Sequence, residues 1–137
     1  MEGLLASGDD DPTDADQRAW NQLFPTAHKF LGVADIIGAR SNVASVVAHG
    51  KLRFADHFHL LVDVHAFFRP EPTATSAGTT GYTGAEIDAS LRWRVAGGLF
   101  AWASYALFLP DDDFYVSDGV AHFAELWFGY QLGPRYD

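Results

Sequence analysis

From residue 85 to residue 95 apolar and polar side chains alternate without a fault. Ala85, Ile87, Ala89, Leu91, Trp93 and Val95 fall on one side, and Glu86, Asp88, Ser90, Arg92 and Arg94 on the other. Successive side chains of a β-strand point to opposite faces, so this ribbon has one oily wall and one charged wall. The whole alternating stretch, 83–95, is about twice as long as an ordinary globular strand and long enough to cross a bilayer at a tilt. Soluble sheets rarely need that combination. Outer-membrane barrels are built from it.

Four more stretches read as long strands. Residues 42–54 set Ser45, His49, Lys51 and Arg53 against Ala44, Val46, Ala48, Leu52 and Phe54. Residues 58–69 set His59, Asp63, His65 and Arg69 against Phe58, Leu60, Val62, Val64, Ala66 and Phe68. Residues 99–109 are apolar on both faces apart from Ser104 and Tyr105, and residues 121–132 oppose Glu125, Gly129 and Gln131 to Ala124, Leu126, Phe128, Tyr130 and Leu132. Short connectors at 55–57 and 97–98 alternate with long polar ones at 70–82 and 110–119. That alternation belongs to an up-and-down barrel with tight periplasmic turns and longer outer loops. Keeping it intact makes residues 9–41 one long outer loop and 1–7 the stub of a preceding strand. Within that loop, residues 24–37 are too apolar to hang in water, so they are expected to fold back into the barrel mouth or onto its wall.

The expected architecture is therefore all-β: an antiparallel up-and-down meander of five long strands (42–132) plus an N-terminal stub. Five or six strands do not close an aqueous barrel, which begins at about eight. An open curved sheet, part of a transmembrane β-barrel, is the expectation, with the chain a single C-terminal segment. No apolar run is long enough for a transmembrane helix. Cysteine is absent, which removes disulfides and thiolate chemistry. A net charge of −9 argues against a nucleic-acid partner. The first residues lack the basic and apolar regions of a signal peptide, so the chain is expected either to be cytosolic or to have lost its start.

Several strings carry a family resemblance. Ser7-Gly8-Asp9-Asp10-Asp11-Pro12, then Leu23-Phe24-Pro25-Thr26-Ala27-His28-Lys29-Phe30-Leu31-Gly32-Val33-Ala34-Asp35, then Asn42 and Asp63-Val64-His65 resemble the C-terminal part of the alginate export porins. The likeness runs from about residue 4 to residue 132. The Pro-Thr-x-His-Lys-x-x-Gly-x-x-Asp string is its most specific piece. The resemblance implies a Gram-negative outer-membrane barrel of about eighteen strands, within the even-numbered range of such barrels. It also implies an anionic polysaccharide in the lumen, and membrane lipid and the barrel-assembly machinery as the other partners. No cofactor, metal or enzymatic activity follows from it.

A channel's selectivity comes from the charges that line it. The polar faces carry five bases (Lys51, Arg53, Arg69, Arg92, Arg94) and four acids (Asp63, Glu86, Asp88, Glu125), besides His59 and His65. The chain has nine Lys and Arg against eighteen Asp and Glu, so most of the acidic excess lies in loops and termini. Lys51, Arg53, Arg92 and Arg94 are expected to cluster at the periplasmic end, where they would attract an exported polyanion. Strand-end bases also commonly snorkel or pair with neighbouring acids, which is the plainer reading. Asp63 and His65 lack the third ligand or nucleophile of a metal or catalytic site and are expected to hydrogen-bond across the wall. His28, Lys29 and Asp35, in the infolded loop, are gate candidates. An alternative of another class is a small soluble β-barrel or sandwich that turns its apolar face inward to bind an apolar ligand.

Overall fold

The computed structural model describes residues 1–11, 13–21, 31–38, 41–74, 79–115 and 119–132. Six strands follow in chain order: β1 Glu2–Ala6, β2 Val43–Ala55, β3 Phe58–Ala74, β4 Thr79–Ala96, β5 Leu99–Pro110 and β6 Ala121–Tyr130. Each pairs antiparallel with its sequence neighbour, giving one sheet in the order β1-β2-β3-β4-β5-β6. The sheet is an open meander whose outermost strands are β1 and β6. No helix among the described residues is long and apolar enough to cross a membrane; strands are not judged by that criterion.

The register carries one face across the whole sheet. His59 lies opposite Arg92, and His65 opposite Glu86. Arg92 in turn faces Trp102, and Ser90 faces Ser104. Because the side-chain period is two, this pairing keeps every charged residue of β2, β3 and β4 on the same side. The opposite side is a continuous apolar surface. Leu52, Phe54, Val64, Ile87, Trp93, Leu126 and Phe128 are all exposed there. At its turn end Phe54, Phe58 and Trp93 stack in a row, with ring centroids 5.6 and 5.7 Å apart. Phe68 and Tyr82 meet near the other end at 5.5 Å. Rows of aromatics at the two ends of an apolar band form the girdles of outer-membrane barrels. The soluble alternative requires this apolar face to be covered. Here the covered strand residues, Ala101 among the exceptions, lie mainly on the charged face.

Two details depart from the alternation. Residues 70–82 are not a long loop: β3 runs on to Ala74 and β4 begins at Thr79. The extension is held from the side by Asn42, whose Oδ1 accepts from the Glu71 amide at 2.8 Å while its Nδ2 donates to the Glu71 carbonyl at 2.9 Å. The side-chain amide thus prolongs the β2–β3 ladder beyond the first residue of β2. Asn42 itself has φ 51°, a left-handed conformation that asparagine adopts more readily than most residues.

The second detail is a register shift between Phe67 and Phe68, which face Gly84 and Tyr82 and leave Thr83 as the extra residue. Gly84 has φ 144°, and a Cβ there would lie 2.6 Å from the Leu109 carbonyl oxygen. Only glycine fits, as is common at a bulge. Gly97 and Gly98 close the β4–β5 hairpin with φ 59° and 99°, the pair of positive angles of a type I′ turn.

Candidate functional site

The most enclosed part of the charged face lies under residues 31–38. Leu31 and Ile37 of that segment form a buried cluster with Ala6, Val43, Phe67 and Phe108, so the segment packs on the sheet rather than projecting from it. Beneath it Glu86 is fully buried and His65 and Asp88 are 2% and 3% exposed. Burying carboxylates costs several kcal/mol per ion unless donors replace the lost water. The donors come from the segment's backbone. The Val33 amide donates to Asp88 Oδ2 at 3.2 Å and the Ala34 amide to Glu86 Oε1 at 2.9 Å. His65 Nε2 lies 3.2 Å from the same Asp88 oxygen.

Gly32 makes this approach possible. Its φ is 84°, and a Cβ on it would collide with the Glu86 carboxylate. Asp35, also at positive φ (53°), ends the turn with its side chain exposed. The loop therefore meets the two buried acids through main chain, not through Asp35. His28 and Lys29 lie outside the described residues.

The remaining charged-face residues fall into three groups. Asp63 and His65 do not bond each other; each finds a neighbouring strand. Asp63 Oδ1 is 2.9 Å from His49 Nδ1, and His49 Nε2 is 4.0 Å from Glu2 of β1. Arg69, near the end opposite the β4–β5 turn, lies 4.9 Å over the Phe114 ring and beside Tyr115. Burial pushes the Tyr115 phenol above its usual pKa, and Arg69 opposes that shift. Glu125 of β6 lies opposite Ser104.

The third group gathers at the turn end, where His59, Arg92 and Arg94 border a cleft of about 320 Å³ together with Phe100, Trp102 and Gln131. The Arg92 guanidinium lies 4.0 Å over the Trp102 ring. Lys51 and Arg53 stand on β2 close by, in register with Leu61 and His59. Arg53 bonds Asp56 in the turn at 3.2 Å. Acids and bases on β4 are thus segregated along the strand. Glu86 and Asp88 lie under the loop, and Arg92 and Arg94 by the turn.

A family model described as alginate export matches residues 4–114. The chain belongs to the alginate export family. Membership implies an outer-membrane setting and a polysaccharide substrate for this β-sheet, and the family is one of export rather than catalysis. No curated protein and no solved structure matches the chain.

Residue patterns did not single out everything on the charged face. Phe123 and Trp127 share it, because they pair with Ala106 and Trp102. The alternation of β6 contains this signal, since both lie an even number of residues from Glu125. Gln131, expected on the polar face of a strand, lies just past β6 and donates to the Gly98 carbonyl at 3.0 Å.

Proposed function

We infer that the charged face lines a passive conduit for an anionic polysaccharide, with a basic intake at the turn end and a loop-lined constriction above it. The observation that carries this reading is the arrangement along β4. Arg92 and Arg94 border an open cleft, whereas Glu86 and Asp88 are sealed beneath residues 31–38. A polyanion entering from the turn end meets bases first, which offset the cost of stripping water from its carboxylates. Exposed acids further along would repel it. The Val33 and Ala34 amides cover those acids and turn a repulsive belt into peptide surface. Selectivity then comes from the rim charges and bore from the infolded segment, as in other channels whose lining residues set both.

The test is ion selectivity of the assembled barrel in planar bilayers. Replacing Arg92→Glu together with Arg94→Glu should weaken or reverse anion preference without changing the heat-modifiable gel mobility of the folded barrel. A reversal potential identical to that of the unmodified protein sinks the intake.

A further inference from the structure

The cleft at the turn end has a floor as well as charged walls. Phe100 and Gly129 face each other across β5 and β6. A Cβ at Gly129 would collide with Cζ of Phe100 and lie 2.7 and 2.8 Å from its Cε2 and Cε1. With Cζ nearest and both Cε atoms within 3 Å, the tip of the ring covers the glycine. Phe100 lines the cleft and is 41% exposed although it sits on the charged side of the sheet. Arg94 faces Phe100 from β4, and Arg92 is held against Trp102 at 4.0 Å. A guanidinium stacked on an indole is held in place, so less freedom is lost when it forks onto a carboxylate.

We propose that this cleft is a seat for a single anionic pyranose unit. The C–H face of the sugar lies on Phe100, and its carboxylate is held by Arg92 and Arg94. The proposal rests on the polyanion reading above and adds to it. A basic rim alone recognises charge, whereas an aromatic floor beside two guanidinium groups recognises a sugar ring that bears the charge. The aromatic face is electron-rich and accepts the weakly positive C–H groups of a pyranose, which a flexible acidic peptide does not present as a flat array. The volume, about 320 Å³, lies at the lower end of the range of roughly 300–1,000 Å³ for ligand sites, fitting one unit rather than a length of polymer. Asp56, at the rim, is occupied by Arg53 and so leaves the seat basic.

The discriminating experiment measures binding to the full chain in detergent micelles with three probes of equal length: a uronic-acid trisaccharide, triglutamate and a neutral mannotriose. The trisaccharide should bind about tenfold more tightly than triglutamate, and the mannotriose more weakly still. Phe100→Leu should remove most of the preference for the sugar while leaving triglutamate affinity unchanged, and Phe100→Tyr should retain the preference. Saturation transfer from the protein should reach the pyranose ring protons of the bound trisaccharide, and should fall in Phe100→Leu. Equal affinity for trisaccharide and triglutamate, or an unaltered preference in Phe100→Leu, overturns the seat and leaves the basic intake standing. If neither anionic probe binds, both the seat and the intake fall.

Discussion

Gly32 shows how much can depend on one missing methyl group. The positive φ and the carboxylate of Glu86 together exclude any side chain there. Replacing Gly32→Ala should cost on the order of 1–3 kcal/mol in the seating of the loop. The expected readout is amide exchange at Val33 and Ala34, faster by roughly tenfold or more, with the strand amides of β4 unchanged. Unaltered exchange at both positions would contradict the seating.

A second residue-scale test lies in the acidic part of the same loop. Asp11 Oδ1 accepts from the Thr13 hydroxyl at 2.6 Å and from its amide at 3.0 Å. These bonds, the hydroxyl's first, hold the Asp11 carboxyl below its ordinary pKa. The folded value is the depressed one, so any stability the turn gains is fully present above the ordinary carboxylate pKa and is lost as pH falls through the lowered one. Thr13→Val should move the Asp11 titration upward, as followed by its carboxyl carbon resonance. A midpoint that stays put would exclude the hydroxyl as the main cause.

At the scale of elements, the strands were legible and the contacts between distant segments were not. The alternation at 85–95, 58–69 and 42–54 fixes which side chains share a face, because a period of two leaves no other choice once the strands pair in register. The extension of β3 to Ala74 escaped because Pro70 and Pro72 read as breakers, whereas an Asn42 side chain supplies the ladder there. The bulge opposite Phe67 and Phe68 had a signal in Gly84, an isolated glycine inside a strand pattern. The expectation that residues 24–37 fold inward followed from their apolarity; among the described residues, Leu31 and Ile37 are buried against the sheet. What they would meet there was not legible. The bonds run from peptide N–H groups, which every residue but proline carries, to carboxylates more than fifty positions away. Phe100 and Trp102 were visible as part of a stretch apolar on both faces, but only the pairing of β4, β5 and β6 sets them beside Arg94, Arg92 and Gly129. At this scale, deleting residues 31–38 should raise single-channel conductance of the assembled barrel by uncovering Glu86 and Asp88, and should lower anion preference at the same time. Higher conductance with selectivity unmoved would mean that the segment narrows the bore without masking the acids.

For the molecule as a whole, the sheet's two ends are the governing fact. β1 pairs on one side only, with β2, and β6 only with β5. Their outer backbone groups are a template for further strands. One face, moreover, exposes Leu52, Phe54, Leu126 and Phe128 together, far more contiguous apolar surface than a soluble monomer carries. The 137-residue chain alone in detergent is therefore expected to show a β-type circular dichroism spectrum and to associate through these edges. Light scattering should give a particle mass that rises with protein-to-detergent ratio. A strictly monomeric species at every ratio would mean that the edges are closed in some other way.

The loop-to-wall contact also has a mutational grammar of its own. Since Val33 and Ala34 bind the acids through main chain, their side chains are free to change while the bond persists. Val33→Ala or Ala34→Ser should leave the constriction in place, whereas Ala34→Pro, which removes one donor, should open it. The stopper is thus specified by backbone shape at a glycine and by two acids on the opposite wall. At Val33 and Ala34, unlike Gly32 and the buried Leu31 and Ile37, side chains can drift in bulk and polarity while the contact persists.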